Sequence, residues 1–147
     1  MSLTRVLALC AAAALCGCPT SATDDDDDSV SSCTAAERPT LSIGSPGNGE
    51  VFESADTITF ALTLTDPDGD TDDLTVAVQD NSDSQGVDLG IAVPAPNEQG
   101  LTTFTMDADR LDTGLNTVRI LVTDDDNCST NDQVLVCVDY DVSPCQP

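Results

Sequence analysis

This chain contains no histidine, no lysine and no tryptophan, and only four basic residues, Arg5, Arg38, Arg110 and Arg119, stand against 27 acidic ones. Each absence excludes a class of function. Without histidine or lysine the commonest general base and the Schiff-base nucleophile are gone. No Gly-x-Ser-x-Gly elbow and no phosphate-binding loop replaces them. A pair of carboxylates can hydrolyse glycosides, but only when one has a raised pKa in an apolar cleft. The aspartates of this chain gather in turns, where ionised and exposed side chains are expected. The chain is therefore read as something other than an enzyme. Four arginines cannot build a basic patch, which excludes nucleic acid as a partner. Anionic lipid head groups are repelled for the same reason, leaving cations, basic proteins or neutral glycans.

Long hydrophobic runs are also lacking, with one exception. Residues 1–15, MSLTRVLALCAAAAL, carry one positive charge followed by an apolar stretch without an acid, the build of a secretory signal peptide. A spanning helix needs about 20 apolar residues, and this run meets Gly17, Cys18 and Pro19 first. Its end, Leu15-Cys16-Gly17-Cys18, resembles the lipobox of bacterial lipoproteins. The resemblance implies cleavage after Gly17, diacylglycerol on the Cys18 sulfur, and acylation of the new amino terminus. Residues 1–17 are thus expected to be the signal peptide and Cys18 the membrane anchor. Pro19 follows the lipidated cysteine where, by family analogy, an aspartate marks inner-membrane retention. The outer membrane is therefore the expected location, facing the periplasm or the surface.

Residues 18–38 read as a disordered acidic tether. Asp24, Asp25, Asp26, Asp27 and Asp28 are consecutive, closer together than the Debye length of about 8 Å, so they repel one another and keep the chain extended. The neighbouring serines and threonines offer no apolar surface worth burying. From Cys18 to Cys33 such a segment reaches at most roughly 50 Å at about 3.3 Å per residue. Loss of the signal peptide removes Arg5 and no acid, so the remaining charge is 3 − 27 = −24.

Of the 7 cysteines, Cys10 and Cys16 leave with the signal peptide and Cys18 carries lipid, which leaves Cys33, Cys128, Cys137 and Cys145. In an exported chain four cysteines read as two disulfides with three pairings open. Zinc is rejected, because there is no histidine and no Cys-x-x-Cys spacing.

Residues 39–147 amount to one domain. Apolar and polar residues alternate through residues 57–65, with Ile58, Phe60, Leu62 and Leu64 on one face and threonines on the other. Leu74, Val76 and Val78 repeat the pattern, as do Val118, Ile120 and Val122, then Val134, Val136 and Val138. Weaker runs occupy residues 41–43, 87–93 and 101–106, with turn signals about every ten residues between them. The expectation is an all-β, seven-stranded β-sandwich.

Two stretches support a finer reading. SPGNGEVFESADTITFALTLTDPDGD and LDTGLNTVRILVTDDDN resemble parts of bacterial immunoglobulin-like, PKD-like and cadherin-like extracellular modules. The resemblance implies an immunoglobulin-like strand order and an adhesive or spacer role. Mapped onto that order, the first strand begins at the end of the sandwich that carries the last hairpin loop. This implies the pairs Cys33–Cys128 and Cys137–Cys145, the second pinning a carboxyl-terminal tail those modules generally lack.

The strongest candidate for chemistry is DPDGDTDD. Asp66, Asp68, Asp70, Asp72 and Asp73 crowd one turn, and Gly69 lets the backbone bend so that alternate carboxylates converge on a cation. On the sandwich model Asp124, Asp125 and Asp126 lie at the same end. The candidate ligands are Asp66, Asp68, Asp70, Asp72, Asp124 and Asp126. Oxygen-only donors favour Ca²⁺. The EF-hand version fails, because Thr71 occupies the required glycine position and Ala77 that of the bidentate acid. Two function classes follow. One is a lipid-anchored cell-envelope protein presenting a binding or adhesion module, stabilised by Ca²⁺, to an envelope protein or glycan. The other is a structural accessory subunit of an envelope assembly whose acids serve solubility alone.

Overall fold

Among the described residues eight strands alternate with tight turns, because the sequence supplies β-branched residues in alternating runs and Gly, Pro, Asn or Asp between them. The computed structural model describes residues 33–140 and Cys145, all within the compact unit Ser31–Pro147. The lipobox, the polyaspartate run and most of the tether lie outside the described residues. The strands are β1 (Thr40–Ser45), β2 (Glu50–Phe52), β3 (Thr57–Thr65), β4 (Thr75–Asp80), β5 (Val87–Asp88), β6 (Leu101–Asp107), β7 (Gly114–Thr123) and β8 (Ser129–Val138). Single 3₁₀ turns at Thr71–Asp73 and Ala108–Arg110 are the helical segments among the described residues.

The strands form two sheets, one ordered β1-β3-β6 and the other β2-β8-β7-β4-β5. All pairings are antiparallel except β2 with β8. This is an all-β sandwich, as the alternation and turn spacing predict, of the immunoglobulin-like kind that the module resemblance implies, with eight described strands where seven are expected. Two strands differ from the sequence expectation. Glu50–Phe52 pairs in parallel with Val136, Cys137 and Val138, a contact far away in sequence that no local pattern signals. The weak run over residues 87–93 yields only Val87 and Asp88 as strand. Gly90 sits at φ +63° and Pro94 lacks an N–H, so the chain leaves the ladder there.

Between the sheets, the residues predicted to face inward do so. Ile58, Phe60 and Leu64 of β3, Val118, Ile120 and Val122 of β7, and Val136 of β8 are wholly shielded from solvent. Phe60 and Phe104 are register partners on β3 and β6. Their rings stack at 4.8 Å between centroids, which places the two large aromatics of the core in one layer. Gly100 opens β6 at φ +74°, and a Cβ there would run into the carbonyl of Leu64. Only glycine tolerates both conditions.

The disulfides are Cys33–Cys128 and Cys137–Cys145, each with Cα atoms 5.7 Å apart. This is the pairing implied by the module resemblance. Cys33 opens a short stretch that turns at residues 34–37, where the Glu37 carboxylate accepts the Thr34 N–H at 2.7 Å. The chain is thus fastened to the β7–β8 hairpin before β1 begins.

The two crosslinks close loops of very different length, 95 and 8 residues in sequence separation. In the chain-entropy model these correspond to about 4.7 and about 2.5 kcal/mol. Replacing Cys33 and Cys128 by serine is expected to cost about 2 kcal/mol more than replacing Cys137 and Cys145, measured by urea unfolding of the two double variants. Equal losses would contradict the assignment of the long loop as the main staple.

Candidate metal centre

The β3–β4 turn and the β7–β8 turn meet at the end of the sandwich where the chain enters at Cys33. β3 ends at Thr65 and β7 at Thr123, so Asp66 and Asp124 each occupy the first position past a strand. Asp124 is held firmly. Its Oδ1 accepts the Cys128 N–H at 2.7 Å, and its own N–H donates to the Cys128 carbonyl at 3.0 Å. Asn127, at φ +62°, supplies the left-handed residue that the five-residue turn needs, a conformation asparagine tolerates better than most residues. Cys128 is in turn bonded to Cys33. As a result Asp124 is only 8% exposed.

One oxygen each from Asp66, Asp68 and Asp124 lies within 4.8 Å of the others. Oxygens on one Ca²⁺ are bound at about 2.3–2.6 Å and can stand about 5 Å apart across it, so this spacing suits a shared cation. Asp66 Oδ1 is buried and has no hydrogen-bond partner, although the residue as a whole is half-buried. Gly69 makes room for the same side chain, since a Cβ there would stand 2.6 Å from Asp66 Oδ2. Sequence reasoning assigned Gly69 to backbone bending. In the fold it also clears space for a carboxylate.

Burial pushes the Asp66 carboxyl above its ordinary value, and the neighbouring Asp68 and Asp124 carboxylates push it the same way. This corrects the expectation that the turn aspartates are all exposed and ordinary. Proximity in sequence shows neither the sealed oxygen nor the approach of Asp124.

The remaining candidates divide. Asp70 and Asp72 gather with Asp73 in a second, exposed group. That group borders a groove of about 360 Å³ completed by Thr71, Pro96, Asn97 and Glu98. Asp126 belongs to neither group and is exposed, as is Asp125. The residue that sequence reasoning missed is Cys128, whose backbone N–H orients Asp124. Only the tertiary turn geometry reveals that role.

No family model matches this chain, and no curated protein matches it. Among solved structures it is similar to the fibronectin(III)-like modules of Clostridium thermocellum CbhA, at 19% identity and a TM-score of 0.48, over 69% of this chain and 46% of that one. It is similar to the endo-beta-1,4-mannanase from Thermotoga petrophila at 17% identity and a TM-score of 0.49, over 69% of this chain and 20% of that one. It is also similar to the titin M3 domain, at 18% identity and a TM-score of 0.47, over 70% of this chain and 98% of that domain. The chain thus spans less than half the length of the first two.

Because its folded-state pKa is raised, Asp66 takes up a proton more readily in the folded chain than in the unfolded one. The ion-free fold therefore loses stability as pH rises above the ordinary carboxylate value of 3.8. In chelator, Asp66→Asn is expected to raise the unfolding midpoint at neutral pH, and the gain should fade as pH falls to about 4. A lowered midpoint at neutral pH would contradict a repelled carboxylate at this position.

Proposed function

We propose that this chain is a lipid-anchored cell-envelope protein that holds an immunoglobulin-like sandwich away from the membrane as a binding or adhesion module. Ca²⁺ organises its loop end, held by Asp66, Asp68 and Asp124. The observation that carries the cation is the gathering of one oxygen each from Asp66, Asp68 and Asp124, together with a buried Asp66 Oδ1 that has no hydrogen-bond partner. Buried polar atoms are nearly always satisfied, and an unpaired one calls for an explanation such as an ion. A divalent cation supplies it by turning three-way repulsion into attraction.

The donor set fits the ion. Hard carboxylate oxygens suit Ca²⁺, and no nitrogen or thiolate donor lies among them. Such a site fastens the β3–β4 turn to the β7–β8 turn at the end where the tether arrives. It would thereby stiffen the loops available to a partner. The anchoring rests on the lipobox motif ending at Cys18 and on the acidic run that follows it, since two or more acyl chains are what stable attachment requires. The module is read as non-catalytic for the reasons its composition supplies, above all the absence of histidine and lysine.

Thermal unfolding in chelator, in 10 mM Ca²⁺, and in 10 mM Mg²⁺ at matched ionic strength tests the reading. A site of about 0.1 mM affinity, typical of extracellular modules, gives about 2.7 kcal/mol at that Ca²⁺ concentration, several degrees in a domain of this size. Ca²⁺ is expected to raise the midpoint where Mg²⁺ does not, and Asp124→Asn should abolish the difference. If the two ions act alike, they only screen the charge and the site reading fails.

A further inference from the structure

The three-stranded sheet ends at β6, with no strand paired beyond it among the described residues. The direction of its backbone groups follows from its register with β3 and one bond. The Leu64 N–H donates to the Gly100 carbonyl at 2.8 Å, while the Gly100 N–H donates to Asn97 in the preceding turn, so the Gly100 carbonyl and the amides and carbonyls of residues 102, 104 and 106 face β3. Those of Leu101, Thr103 and Thr105 point away. Leu101 is satisfied on that side, its carbonyl accepting the Asn97 N–H and its N–H donating to Asn97 Oδ1, both at 2.9 Å. Thr103 and Thr105 have no backbone partner on that side among the described residues, since β6 pairs only with β3 there.

The chain passes beside this edge over residues 90–96 without pairing to it. Pro94 and Pro96 have no N–H to give, and the tie between the two segments is one bond, Thr102 Oγ1 donating to the Pro94 carbonyl at 2.7 Å. What remains is a groove of about 330 Å³ lined by Thr59, Ala92, Pro94, Thr103, Phe104 and Thr105. An edge of this kind is normally blunted by lysine, proline, a bulge or a covering loop, and here residues 90–96 run beside it tied by the single Thr102–Pro94 bond. Residues 101–106 contain no lysine and no proline.

Charge brackets the edge. Glu98 lies in the turn before β6 and Asp107 is its last residue, both exposed, and residues 101–106 between them are uncharged.

We propose that this groove accepts an extended segment of a partner protein, which pairs with Thr103 and Thr105 as an added strand. The segment carries uncharged β-forming residues at its centre and a lysine or arginine at each end. Four backbone groups of Thr103 and Thr105 bind it, and the terminal cations meet Glu98 and Asp107. A polyanionic segment is refused by the same two acids. The proposal stands apart from the calcium reading, which concerns the β3–β4 and β7–β8 turns.

The test uses the purified chain with both disulfides formed and two labelled, end-capped peptides. Each has a Thr-Val-Thr-Val-Thr centre, one flanked by lysines and the other by glutamates. Fluorescence anisotropy reads affinity, and amide hydrogen exchange by NMR reads the location. Saturable binding of the lysine-flanked peptide is expected, with slowed exchange at the Thr103 and Thr105 amides. Binding of the glutamate-flanked peptide should be at least about tenfold weaker. Thr105→Pro removes one outward N–H that β3 does not use, and should weaken binding about tenfold. Absence of binding overturns the proposal, as does protection elsewhere or unchanged affinity in Thr105→Pro. Exchange at Thr103 and Thr105 in the unaltered chain decides the matter even if the proline variant does not fold.

Discussion

The hydrogen bond from the Cys128 N–H to Asp124 Oδ1 is the constraint on which the loop end of this molecule depends. It lies where three features meet: the last hairpin, the disulfide to Cys33, and the carboxylate cluster. A buried carboxylate is costly unless its oxygens are bonded. The turn that closes β7 onto β8 supplies one such bond from its own backbone and leaves the rest of the carboxylate facing Asp66 and Asp68. The crosslink that orders the entering chain therefore also fixes an acid against two others. Burial, with the neighbouring Asp68 and Asp124 carboxylates adding to it, raises the Asp66 carboxyl above its ordinary value, which is the cost of that arrangement. A divalent cation is the simplest species that turns the repulsion among these carboxylates into attraction.

Much of the sandwich was legible in the sequence, and the reasons are physical. Period-two alternation in residues 57–65, 118–122 and 134–138 reports one buried and one wet face, because successive strand side chains point to opposite sides. The inward set was correct at Ile58, Phe60, Leu62 and Leu64. Turn-forming residues between the runs marked the ends of strands. The features that were not legible depend on distant contacts. β2 is three residues long and exists through its parallel partner β8. The residues after Asp88 alternate acceptably but fall out of the sheet, because Gly90 and Pro94 override a weak pattern.

The same division applies to the candidate centre. Crowding of Asp66 and Asp68 around Gly69 was visible as a motif, and the sandwich end shared with Asp124 followed from the module resemblance. The partition of the acids did not follow. Asp70 and Asp72 turn aside into a separate exposed group with Asp73. Asp126 lies past the point where Asp124 is gripped. Which carboxylates converge is decided by backbone geometry within single turns, and composition cannot resolve it. The open edge of β6 escaped notice for a related reason, since no residue pattern announces which strand is left without a second neighbour among the described residues.

The central claim is that Asp66, Asp68 and Asp124 form one cation site rather than a stretch of solvated acid. A two-dimensional NMR titration with Ca²⁺ at constant ionic strength, following the backbone amides, addresses it most directly. The account predicts saturable shifts confined to residues 66–69 and 124–128, with the Cys128 amide among the largest because its acceptor changes partners. Small, unsaturated shifts spread over every acidic turn, including residues 70–73, would contradict it.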